Sequence, residues 1–297
     1  MGVRPPFTQQ LATAEATNAS MLCVGLDPEP ARFPAPWRDD PRRIFDFCAA
    51  IVDATKDLVI AFKPQIAYFG AQRAEDQLER LIAHIRQVAP EVPVILDAKR
   101  GDIGSTAEQY AREAFVRYGA DAVTLSPFMG FDSIEPYMRH DGRGLILLCR
   151  TSNPGGSDLQ AQVLKGGGAH GGEEMLFERI ARLAAGEWNR NGQLGLVVGA
   201  TYPRDVSRVR ELAPTLPLLI PGIGAQGGDA EATVRAGWRP KTSARPEDAG
   251  GPVIVSSSRA VLYAGVDGPA AATGFAEAAR RAAQTTRALL HAARLVR

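Results

Sequence analysis

Four charged residues in one short stretch, Asp97, Lys99, Arg100 and Asp102, have the types and spacing that suit chemistry. They follow Val94, Ile95 and Leu96, an apolar run without the polar alternation of a half-exposed strand, which suits a strand buried on both faces. Alternation along a strand points Asp97 and Lys99 the same way, with Ala98 between them pointing the other. A buried carboxylate or ammonium is costly unless paired, so the two are expected to pair. An ammonium fixed beside a carboxylate stays protonated; it can stabilise negative charge developing on a ligand and then transfer a proton to it.

Other polar residues recur where apolar runs end. Asp27 closes the run 21–26, Lys63 the run 58–62, Ser126 the run 122–125 and Ser152 follows the run 144–149. The run 218–220 leads into Pro221-Gly222-Ile223-Gly224, then Gln226, Gly227 and Gly228, and the run 253–255 into Ser256-Ser257-Ser258-Arg259. Glycines let backbone N–H groups close on an anion, and arginine can clamp a phosphate with two parallel bonds. A phosphorylated ligand is expected. The four histidines, His84, His140, His170 and His291, have no metal-ligand spacing, and no Ser/His/Asp constellation is legible. Cys23, Cys48 and Cys149 form an odd set without a close pair and read as buried reduced thiols.

Positioning such groups at one mouth requires a particular order of elements. Eight short β runs alternate with stretches of helical spacing, at about 44–57, 72–88, 105–118, 173–191, 203–212 and 229–236. A further helix is expected at 8–19, and an Ala- and Arg-rich one at about 269–295. Eight βα units without a linker predict one α/β domain over 1–297, a (β/α)8 TIM barrel with its core at about 20–265. No G-x-G-x-x-G follows the first strand, which disfavours a doubly wound dinucleotide fold. Ser105 with Glu108 reads as a capping box opening the fourth helix. The polar segment 238–251 reads as a lid between the last two strands. The 297 residues carry a net charge of +1, which predicts no general affinity for nucleic acid or anionic membrane. No apolar run is long enough to span a bilayer, and the N-terminus lacks the apolar core of a secretory signal, so a cytoplasmic protein is expected.

The motif Asp97-x-Lys99-x-x-Asp102 with Ile103 and Thr106, preceded by Phe62-Lys63-Pro64, resembles the orotidine 5′-phosphate decarboxylase family, type 2 bacterial subfamily. Supporting stretches are FKPQIAYF (62–69), RTSNPGG (150–156), LIPGIGAQGGD (219–229) and SSSRAVLYA (256–264). The resemblance implies a homodimer with shared active sites that converts orotidine 5′-phosphate to UMP and carbon dioxide without a cofactor or metal. It implies that Lys99 donates the proton to C6, that Asp97 lies beside the scissile group, and that Lys63 and Asp102 complete the charged array. Asp102 and Thr106 would reach across the dimer into the partner's site, and Ile103 would be among the substrate-binding residues. Asp27 would hold ribose hydroxyls and Ser152 the pyrimidine edge, while Gly222, Gln226, Ser258 and Arg259 would hold the phosphate. Two alternatives stand beside it: a metal-dependent sugar-phosphate lyase or decarboxylase of the same barrel superfamily, and a non-catalytic phosphate-ligand sensor. An aldolase using a lysine Schiff base is disfavoured, because flanking carboxylates keep the lysines protonated.

Overall fold

The computed structural model describes residues 4–166, 172–223, 229–240, 250–266 and 271–295. Eight parallel strands form the barrel: β1 Leu22–Leu26, β2 Ala61–Pro64, β3 Ile95–Arg100, β4 Ala122–Leu125, β5 Gly144–Arg150, β6 Leu194–Val198, β7 Leu218–Pro221 and β8 Val253–Ser257. Their order in the sheet is β2-β1-β8-β7-β6-β5-β4-β3, and the bridges Phe62↔Val94 and Gln65↔Asp97 close β2 onto β3. The expected (β/α)8 architecture is present. Most strands begin within a residue of where the apolar runs place them, but β2, expected from residue 58, begins at Ala61; β2, β3 and β5 extend past their runs and carry Lys63, Arg100 and Arg150 within the sheet.

Strand alternation divides the apolar residues into two cores. One lies between barrel and helices and takes side chains such as Leu22, Val24, Leu96 and Val123 together with Phe47, Leu81 and Val209. The other fills the barrel itself with Cys23, Ile95, Ala122, Ile146, Val197, Leu219 and Ile254. The helix Phe7–Asn18 plugs the N-terminal end of this inner core with Phe7, Leu11 and Ala14. Gly144 permits that plug, since a Cβ there would overlap the Phe7 ring. At the same end the buried Arg210 guanidinium donates to the carbonyls of Ala213, Pro214, Leu216, Gly237 and Gly251. It thereby ties down the chain entering β7 and β8. Burial without a carboxylate partner, with Arg239 nearby, lowers its pKa to about 9.

Several expectations are corrected. The helix expected at 173–191 covers only Leu176–Ala185, capped by the Glu178 carboxylate on the Met175 N–H at 2.8 Å. Glu174–Met175 instead pairs antiparallel with Val163–Leu164, because the strand-five loop folds back on itself. The helix expected at 72–88 starts at Glu75; the left-handed Arg73 separates it from a short helix, Ile66–Gly70. The capping box does not form: the helix Gly104–Arg112 begins before Ser105, and Glu108 pairs with Arg139. A π turn, Glu113–Arg117, replaces the last α-helical turn, and Glu113 is drawn to Arg100 at 2.9 Å. The last helix is Ala271–Leu295. Most of the expected lid (241–249), and His170 with its neighbours (167–171), lies outside the described residues.

Candidate active site

The C-terminal ends of the strands surround a cavity of about 550 Å³, lined by Asp27, Lys63, Asp97, Lys99, Ser152, Gly222, Ser258 and Arg259 among others. Its centre is the Asp97 carboxylate, which is buried. Lys63 Nζ donates to Asp97 Oδ2 at 2.9 Å and Lys99 Nζ to Oδ1 at 2.5 Å. Burial alone would raise the Asp97 carboxyl; the Lys63 and Lys99 ammoniums reverse this and hold it well below the usual carboxylate range. Burial would likewise lower the Lys63 ammonium, but Asp97 and Asp27 raise it above its ordinary value. The lysines differ in access. Lys63 is enclosed, whereas 45% of the Lys99 side chain is exposed towards the cavity mouth.

The pairing of Asp97 with Lys99 does not arise from plain strand alternation. Leu96 is in register with Val123 and Arg100 with Leu125, so Asp97, Ala98 and Lys99 face Thr124 alone. Lys99 takes up the extra length in the left-handed region, at φ 46°. A non-glycine residue there costs roughly 1–3 kcal/mol, and such strain persists only where the surroundings impose it. Thr124 also lines the cavity and was not singled out in the sequence. The signal for it was a hydroxyl on an inward position of the otherwise apolar β4.

The other walls are placed by close backbone approaches. A Cβ on Gly25 would overlap the Ser258 side chain, and one on Gly199 would lie 2.6 Å from the Ser152 backbone. These two glycines let the ends of β8 and β5 reach the mouth. Tyr263 donates its hydroxyl to the Asp27 carbonyl and accepts from the Glu29 N–H, both at 2.8 Å, which fixes the loop after β1. Among the described residues Asp27 Oδ1 is buried with no hydrogen-bond partner and is available to a ligand hydroxyl. Gly222 sits at φ 102°, a conformation that only glycine adopts readily. After β5, the Gln160 side chain accepts from the Thr151 N–H at 2.8 Å and folds the loop carrying Ser152 over the cavity. Thr151, Asn153, Leu159 and Gln160 thus join the lining, as do the apolar Leu148, Val197 and Leu219. The last three are not distinguishable in the sequence from other apolar strand residues, since strand residues at the mouth and at the plugged end look alike.

Not every expected residue reaches this cavity. Asp102, Ile103 and Thr106 do not line it in their own chain, and Ser126 does not either. Ile103 and Thr106 are exposed, as are Phe128 and Met129. Gln226 and Gly224 lie outside the described residues. Among the described residues no group of three His, Cys, Asp or Glu is placed to hold a metal. With all groups ionised, the lining carries Lys63, Lys99 and Arg259 against Asp27 and Asp97, an excess of positive charge that suits an anionic ligand.

Fold and site together define a (β/α)8-barrel enzyme with an alternating lysine–aspartate array at the mouth of its strands. The chain belongs to the orotidine 5′-phosphate decarboxylase / HUMPS family, whose model matches residues 20–275. It is 69% identical over 288 residues to the orotidine 5′-phosphate decarboxylase of Methylibium petroleiphilum, covering 97% of this chain and 99% of that protein. It is 68% identical to that of Polaromonas naphthalenivorans, covering 97% and 96%. Among solved structures it is similar to the OMP decarboxylase of Leishmania donovani, with 35% identity, a TM-score of 0.80, and coverage of 98% of this chain and 100% of that one.

Proposed function

We infer that this chain decarboxylates orotidine 5′-phosphate to UMP and carbon dioxide. The observation that carries the reading is the Asp97 carboxylate held between two ammoniums, one of them open to the cavity. When the C6–carboxylate bond breaks, its electron pair remains on C6 and carbon dioxide leaves. The Lys99 ammonium stabilises that charge and gives C6 a proton; the amine then regains one from solvent. Asp97 orients the Lys99 ammonium, and Lys63 keeps Asp97 ionised. Asp27 receives ribose hydroxyls, Ser152 meets the pyrimidine edge, and Gly222, Ser258 and Arg259, with Gln226, hold the phosphate. Phosphate binding far from C6 contributes to catalysis by drawing the surrounding loops together.

The sugar-phosphate lyase alternative needs a carboxylate at the end of β2 to help hold a divalent cation. Lys63 occupies that position and is committed to Asp97 at 2.9 Å, so its charge opposes a cation. A sensor would have no use for a strained lysine aimed into the cavity.

The reading includes a homodimer in which Asp102, Ile103 and Thr106 complete the partner's site. Its support is their placement outside their own cavity, together with the exposed apolar side chains of Ile103, Phe128 and Met129, which are 48%, 79% and 46% exposed. It also includes a cytoplasmic setting, which the three free, buried cysteines suit. No described helix is long and apolar enough to cross a membrane.

The test follows loss of orotidine 5′-phosphate absorbance in excess EDTA. EDTA-resistant turnover by the native protein, lost in Lys99→Ala, is expected; turnover that needs added magnesium would overturn the reading. Mixing Lys99→Ala with Asp102→Asn chains tests the shared site, since a mixed dimer contains one intact site and regains activity only if the dimer shares residues.

A further inference from the structure

The alternating array depends on a residue outside it. We propose that Thr124 is the positioning residue of the Lys63–Asp97–Lys99 array, its one hydroxyl fixing both the Asp97 carboxylate and the strained Lys99 backbone. This rests on the decarboxylase reading for its catalytic consequence and on geometry alone for its structural part.

A threonine hydroxyl has two acceptor lone pairs and one proton. The Thr124 oxygen lies 3.0 Å from the Ala98 nitrogen and 2.9 Å from the Lys99 nitrogen, so the two N–H groups take both lone pairs. Its proton is left for Asp97 Oδ1, 2.9 Å away. The hydroxyl is therefore saturated, and its proton has one destination. Three consecutive residues of β3 face Thr124 because the register with β4 slips there. The side chain thus supplies bonds that a regular ladder would have drawn from backbone.

The geometry has a directional consequence. Asp97 Oδ1 accepts from both Thr124 and Lys99 while Oδ2 accepts from Lys63, so a proton on either oxygen would face a donor and the carboxylate stays ionised. Holding the Lys99 amide also keeps Lys99 at φ 46°, from where its ammonium reaches both Asp97 and the cavity. Without the hydroxyl, the two amides lose their acceptor and the segment can relax towards an ordinary strand. That would swing Lys99 away from the reacting carbon. A misplacement of about 1 Å at a reacting group can cost on the order of 100-fold in rate.

The experiment compares Thr124→Val, which keeps shape and β-branching, with Thr124→Ser, which keeps the hydroxyl. The expected result is a kcat reduced roughly 10- to 100-fold in Thr124→Val with KM little changed, and largely restored in Thr124→Ser. Amide exchange in the ligand-free protein is measured in parallel. Ala98 and Lys99 should exchange about tenfold faster in Thr124→Val, with protection elsewhere in the barrel kept. If Thr124→Val does not fold, Thr124→Ala, which leaves room for water, is read for the same loss of kcat. Native kcat in the Val or Ala variant, or a Ser variant no better than Val, would overturn the proposal. If the native protein itself fails to decarboxylate orotidine 5′-phosphate, that reading falls. The exchange of Ala98 and Lys99 then decides the proposal: unchanged protection overturns the role of Thr124, and faster exchange supports it.

Discussion

Two buried carboxylates stand at opposite ends of this barrel. Asp97, at the C-terminal mouth, is bound by two lysines and a threonine and faces a cavity. Asp121, just before β4, is fully buried at the N-terminal end. Arg4 Nε reaches it at 2.7 Å, Arg143 at 3.4 Å and Arg86 at 3.8 Å, while the Val94 N–H donates to it at 2.9 Å. Arginine forks also bind the surrounding carbonyls, Arg143 that of Ala120 and Arg86 that of Gly119. That directs most of their donors to protein and ties down the segments entering β3 and β4. Ammoniums on flexible stems leave spare protons, and Lys99 presents its own to the cavity. The same electrostatic motif therefore yields a clamp at one end and, on the proposed reading, a proton source at the other, according to the cation chosen and what lies beside it.

The largest expected effect tests the upper site. Lys99→Ala should lower kcat by up to about 10⁴-fold in a steady-state assay, with the melting temperature little changed because Lys63 still neutralises Asp97. Asp121→Asn should do the opposite. It leaves three guanidiniums without their carboxylate and should destabilise by about 3 kcal/mol in urea unfolding, with kcat unaltered. Equal activity losses in the two variants would erase the distinction between the ends. Lys99→Gly sharpens the account of strain: an inactive protein about 1 kcal/mol more stable than Lys99→Ala is expected, since glycine relieves the left-handed backbone.

The smallest effect is a pH window. The depressed Asp97 carboxyl contributes stability that is full above its unfolded value of about 3.9 and is lost as pH falls towards its folded value. The raised Lys63 ammonium contributes stability that is full below about 10.4 and is lost as pH rises through its folded value. Between these limits Asp97 and Lys63 together impose no pH dependence. Replacing both by a neutral pair, Lys63→Met with Asp97→Asn, should flatten the two outer limbs of unfolding free energy against pH.

The residues of the upper site were legible because they interrupt apolar runs. Asp27, Lys63, Asp97, Lys99, Ser152, Ser258 and Arg259 each follow or end such a run, and all line the cavity. Thr124 carried only a weak signal, since one threonine in Ala-Val-Thr-Leu reads first as an ordinary β-branched strand residue. The plugging role of the first helix was also hidden, because its Phe7 and Leu11 find their partners only in a closed barrel. The expected capping box failed because Gly104 starts the helix two residues earlier than the box requires and Arg139 competes for Glu108.

By itself the sequence determined the number and order of the βα units and the ends at which charge collects, because periodicity and burial preference are local properties. Only the tertiary structure decided how Asp97 meets Lys99. That contact depends on a register slip between β3 and β4, on the left-handed turn at Lys99, and on a hydroxyl from the neighbouring strand. Each is a relation between strands, fixed by the closing of the barrel rather than by either segment alone.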